Sequence, residues 1–137
     1  MAKSFELQMK EFESMTAEKS ELLFSQVCFE ISDGVITNVP IDSGRAKGSF
    51  FPDIDKVSSE INAIDDVDKS GSKSLARVSN VTNKLKLGSY FSLTSNLDYI
   101  IPLEYGWSNQ SPKGFVGVTL MRFQHIVNQA NKGLKWV

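Results

Sequence analysis

Asn96-Leu-Asp-Tyr-Ile-Ile-Pro-Leu-Glu-Tyr-Gly-Trp-Ser-Asn-Gln-Ser-Pro-Lys-Gly-Phe-Val-Gly-Val118 is the stretch on which the reading of this chain turns. It gathers Tyr99, Ile100, Ile101, Leu103, Tyr105 and Trp107 around one acid, Glu104. Pro102 and Pro112 interrupt it, and Gly106 and Gly114 are points where the backbone can bend. Loops normally run over the surface and are polar. A turn-rich segment this apolar must pack, either on its own core or on another chain. A buried carboxylate needs a partner, and Arg45 is the expected one for Glu104.

Working outward, elements of both kinds frame this segment. Residues 4–32 are rich in helix formers, and no Gly or Pro precedes Gly34. Phe5, Met9 and Phe12 repeat at helical spacing, as do Phe24, Cys28, Ile31 and Val35. Ser14 to Thr16 offers a fresh cap, so residues 1–16 are expected as a short arm and a longer helix from about Ala17. Pro40 ends it. Ala46 to Phe51 reads as a strand, and residues 52–73 as a mobile acidic loop with one short strand over Val57 to Ile61. A central helix follows, capped by Ser72 or Ser74, with Lys84 and Lys86 in its last turn and Gly88 as its stop. Ser89 to Ser95 is the clearest strand. Val116 to Gly133 reads as one closing helix with Val116, Leu120, Phe123 and Val127 on its buried face, and Trp136 in the tail wants a partner. The order implies a single α+β domain over 1–137: a long N-terminal helix, a small mostly antiparallel sheet, a central helix and a C-terminal helix.

The net charge of −1 conceals an asymmetry, since residues 1–66 carry 6 Lys/Arg against 13 Asp/Glu and residues 67–137 carry 9 against 3. Opposed halves either complement each other within one fold or meet between copies, and head-to-tail contacts close into rings. No apolar run is long enough for a membrane span. The single cysteine, Cys28, lies on the helical stripe as a small buried hydrophobe. Catalytic motifs are sparse. The one histidine, His125, lies mid-helix without a nucleophile elbow, and one His with one Cys builds no zinc site. The acids of 53–68 lack calcium-loop spacing, and Gly44-Arg-Ala-Lys-Gly48-Ser lacks the phosphate-loop ending. No catalytic, cofactor or metal residues are therefore assigned. Two other readings stay open: a small soluble enzyme or toxin using Glu104 and His125, and a nucleic-acid-binding module built on the basic second half.

Two separated motifs, taken together, carry a resemblance. One is Val39-Pro40-Ile41-Asp42-Ser43-Gly44-Arg45 after an amphipathic helix. The other is Ser95-Asn96, Tyr99, Leu103-Glu104-Tyr105-Gly106-Trp107-Ser108 and Gln110-Ser111-Pro112-Lys113-Gly114-Phe115-Val116 before a terminal helix. The chain from about residue 17 to 131 resembles the tail-completion family of long-tailed double-stranded-DNA bacteriophages, neck or minor tail components akin to the lambda minor tail protein Z. Asp66 to Leu75 is similar to that family's central Asp-x-Ser-Gly stretch. Ser43 stands for the usual Thr, Ser111 for Ala, and Gly117 where an Arg often follows. The resemblance implies a non-enzymatic virion protein, assembled in the host cytoplasm. It would form a ring, commonly a hexamer, at the head–tail junction. Its partners would be itself, a head-side stopper or adaptor, and the tail terminator, with DNA passing through the lumen without specific binding and no membrane involved. The structural or interface residues it points to are Pro40, Asp42, Gly44, Arg45, Asn96, Tyr99, Glu104, Tyr105, Gly106, Trp107, Pro112 and Gly114.

Overall fold

The computed structural model describes residues 4–41, 44–63, 66–106 and 113–134. Asp42, Trp107, Pro112 and Trp136, all singled out by sequence, lie outside them. The described residues form an α+β fold: α1 (Phe5–Asn38), β1 (Phe50–Ile54), α2 (Ser72–Thr82), β2 (Phe91–Ser95), α3 (Ile100–Glu104), α4 (Val116–Met121) and α5 (Phe123–Lys132).

Helix α1 is continuous through Ser14 to Thr16, so the expected break is absent. Ser4 is the cap in use, its hydroxyl accepting from the Leu7 N–H at 3.2 Å. Restarting a helix at Thr16 would repeat the nucleation cost, whereas one Thr in a run of good formers costs only a few tenths of a kcal/mol. The helix ends at Asn38, at the expected Pro40 stop. Val39 then turns extended ahead of Pro40, which is itself buried. Only its C-terminal part buries a face: Ser32, Val35 and Ile36 are buried, while residues 4–15 are exposed throughout.

Strands β1 and β2 pair antiparallel with Phe50 opposite Ser95 and Ile54 opposite Phe91. Ala46 and Lys47 belong to a turn opened by Gly44, whose carbonyl accepts from the Gly48 N–H. The strand therefore starts four residues later than expected and runs into the segment read as loop, leaving the described residues of 55–71 irregular. The expected strand over Val57 to Ile61 does not form. Two strands alone are marginal, and these rest on α1 and α2. The core joins Val35, Ile36 and Val39 of α1 and its end to Phe50, Val78, Leu97 and Phe115. Phe50 meets Phe115 edge to face at 6.2 Å between centroids.

Neither Ser72 nor Ser74 caps α2. Gly71 precedes it in the left-handed region, and the cap is Asp68, whose Oδ2 accepts from the Lys73 N–H at 2.7 Å. The helix stops at Thr82, short of Lys84, Lys86 and Gly88, although Leu85 beyond it is still buried. The expected closing helix is two helices joined at Arg122. Thr119 spends its hydroxyl on the Phe115 carbonyl one turn back, and the Arg122 N–H shortens its bond to the Thr119 carbonyl. Both tighten and bend a helix. Leu120 and Phe123, expected on the buried face, are exposed; Phe115 and Thr119 take that place. Thr119 also sits over Gly34 of α1, so closely that a Cβ on Gly34 would lie 2.8 Å from the Thr119 Cγ2.

Candidate functional site

Within the aromatic stretch, Ile100–Glu104 folds as one turn of helix rather than an open loop. Pro102 fits because the first turn has no intrahelical partner for the N–H it lacks. Gly106, at φ +85°, ends that turn. This short helix divides the cluster. Ile100 and Leu103 pack on the core. Tyr99, Ile101 (65% exposed) and Tyr105 (79%) face solvent.

Glu104 lies on the inward side, and its partner is backbone. Its Oε1 accepts from the Phe115 N–H at 2.9 Å and the Val116 N–H at 2.8 Å, and its Oε2 accepts from the Gly117 N–H at 3.0 Å. Those are the unpaired donors that open α4, so the carboxylate sits at the positive end of a helix dipole and satisfies it from eleven residues away. Gly114 makes room for this. It has φ +82°, and a Cβ there would collide with the Glu104 carbonyl oxygen and lie 2.6 Å from Oε2. The expected Glu104–Arg45 pair does not form, because three N–H groups already meet the needs of this carboxylate. Arg45 instead exchanges bonds with Asn62, its Nη2 donating to the Asn62 carbonyl at 3.1 Å and the Asn62 amide donating to the Arg45 carbonyl at 3.0 Å.

The two motifs therefore build two separate joints. Gly44 serves the second one. At φ +92° it approaches the 68–69 backbone so closely that a Cβ would lie 2.7 Å from the Lys69 nitrogen, and its carbonyl accepts from the Asp68 N–H. Asp68 then binds the Ser70 N–H and hydroxyl, the Ser72 hydroxyl and the Lys73 N–H. The Lys73 backbone donor, followed by the Ser70 hydroxyl, lowers its pKa from 3.8 to about 2. Asn96 ties the end of β2 to the irregular segment, its amide donating to the Ser58 and Glu60 carbonyls at 3.0 and 2.9 Å.

Sequence reasoning missed the roles of Asn62 and Arg77 and read Ser74 only as a cap. Arg77 donates to the Phe50 and Gly48 carbonyls at 3.0 and 2.6 Å, and its guanidinium lies 4.1 Å over the Phe51 ring. Ser74 donates to the Lys47 carbonyl at 2.7 Å. These are bonds from side chain to distant carbonyl, which leave no spacing signal. For Asp68 a signal existed in the Asp-x-Ser-Gly turn just ahead of a helix.

His125 is exposed on α5 and lines a polar cleft between α1 and α5 with Glu30, Asp33 and Arg122. Glu104 is not among the residues of that cleft. Among the described residues no helix is long and apolar enough to cross a membrane. Comparison with protein-family models, with curated proteins and with solved structures finds no match.

Proposed function

We propose that this chain is a structural building block of a phage neck: a ring, of six copies by the resemblance, between the head-side stopper or adaptor and the tail terminator, with DNA passing through its lumen. The observation that carries the reading is the use made of Glu104. Both of its oxygens are bound by backbone donors, so the one acid of the aromatic motif acts as a clamp on the fold. Its neighbours Tyr99, Ile101 and Tyr105 are left presented to solvent. Amphipathic rings on a rigid turn are typical contact groups between proteins. A lumen for DNA is best lined by acids, since each phosphate neutralised adds affinity and slows passage. Asp53, Asp55 and Glu60 of the acidic half are the residues assigned to it.

The test is to purify particles of the phage that encodes the chain and measure its content by mass spectrometry. A fixed, ring-sized copy number, with unjoined heads and tails when the chain is absent, is the expected result. Absence from particles overturns the reading, and a reconstruction with Lys73, Lys84 and Lys86 lining the bore overturns the lumen assignment.

A further inference from the structure

The cleft between α1 and α5 encloses about 300 Å³ and is lined by charges of both signs that do not meet. Glu30 and Asp33 stand one turn apart on the α1 wall, both half-buried. Each is steadied by its own helix through one oxygen. The Glu30 Oε1 accepts from the Gln26 amide at 2.7 Å, and the Asp33 Oδ1 accepts from the Thr37 hydroxyl at 3.2 Å. Glu30 Oε2 and Asp33 Oδ2 take no bond from a described residue. Across the cleft are Arg122 at the α4–α5 joint and His125 of α5, both exposed. No ion pair between described residues crosses the gap. The fold holds the walls apart: Thr119 is wedged against Gly34 at one end, and the break at Arg122 sets the direction of α5.

We propose that this cleft binds a basic α-amino acid of the lysine class, its carboxylate on Arg122 and its two ammonium groups on Glu30 and Asp33. Size and charge select that class. Pockets for drug-sized ligands run from about 300 to 1,000 Å³, so this one suits a small molecule. With histidine counted neutral at pH 7, the lining carries two carboxylates against one guanidinium, a net −1. A basic amino acid carries two cations and one anion, the complement in both number and sign. The planar fork of Arg122 matches a carboxylate, and an ammonium group is a compact three-donor charge that single carboxylate oxygens can hold. Ile126 and Ala130, the half-buried apolar residues of the α5 wall, give the ligand's methylenes a surface to lie on. A diamine leaves Arg122 without an anion, and a neutral amino acid leaves one carboxylate without a cation. Binding of this kind is independent of the neck reading.

The test is an amide NMR titration of the full chain at low salt with three probes: L-lysine, cadaverine and L-norleucine. L-Lysine should shift amides of α1 and α5 saturably, with a Kd of about 1 mM or below. Cadaverine lacks the carboxylate and L-norleucine the second ammonium, so each should bind at least about 10-fold more weakly for the charged bond it forgoes. Arg122→Gln should weaken L-lysine by about 10-fold and leave cadaverine no weaker, whereas Asp33→Asn should weaken both. The split between ligands separates a contact to the carboxylate from damage to the fold, and the comparison of the three probes needs only the native chain. No saturable shift with L-lysine up to about 10 mM, or equal affinity for the three probes, overturns the proposal. So does an Arg122→Gln chain that binds L-lysine as the native chain does.

Discussion

Glu104→Gln isolates the clamp with little change of shape. In the native chain Oε1 takes two N–H bonds and Oε2 takes one, from Gly117. Glutamine keeps one oxygen and replaces the other with an NH2 group. The best it can do is hold Phe115 and Val116 and turn a donor towards the Gly117 N–H. A hydrogen bond to a charged group contributes about 1.5–3 kcal/mol, and the charge at the helix start adds about 0.3–1 kcal/mol. Partial access to water recovers some of this, so the expected loss is about 2–3 kcal/mol. Urea unfolding followed by far-UV circular dichroism reads it directly. With an m-value of about 1–3 kcal/mol/M, the midpoint should fall by about 1–2 M. Glu104→Ala leaves all three donors without the carboxylate and should cost more, while Glu104→Lys sets a cation against the positive end of α4 and should abolish folding. A Gln variant within about 0.5 kcal/mol of the native chain, an ordinary surface effect, would refute the clamp.

Gly114→Ala should cost about 2 kcal/mol or more by thermal or urea unfolding, since the left-handed backbone penalises a Cβ by about 1–2 kcal/mol and the Glu104 carbonyl leaves it no room. Asp68 has its folded pKa lowered from 3.8 to about 2, so it adds stability that is complete above about pH 4 and lost as pH falls towards 2. Urea midpoints measured across that range should slope less in Asp68→Asn than in the native chain. Arg77→Lys keeps the charge but cannot reach both carbonyls with one nitrogen, and should lower stability by about 1–2 kcal/mol in the same unfolding assay.

The parts of the fold legible beforehand were those with a period. The stripe from Phe24 to Val35, the Pro40 stop and the strand read over Ser89–Ser95, which forms over Phe91–Ser95, all announce themselves in residue type and spacing. Boundaries failed where a backbone group made the decision. The start of α2 depends on Asp68 reaching five residues forward, and the kink at Arg122 on Thr119 bonding back to Phe115. Glu104 stood out as a lone acid among aromatics, but its partner did not. A search for residue pairs proposes Arg45, whereas three N–H groups carry no residue identity to find. Gly114 was legible only as a bend, because the need for a missing Cβ arises from a carboxylate ten positions earlier. The exposure of Tyr105 beside the inward Glu104 follows from α3 being one turn of helix, which its proline and the tyrosines that flank it did not announce.

Gly34 turns a small clearance into a large displacement. It lets α4 approach α1 closely enough for Thr119 to sit where any larger residue would need space. From there to Phe5 the helix continues for 29 residues, about 43 Å at 1.5 Å per residue. A tilt of about 5° at that pivot swings the tip by about 4 Å, close to one residue step along a neighbouring strand. A single methyl group at position 34 would therefore act as a protractor, resetting the angle at which the first turns of α1 reach outward.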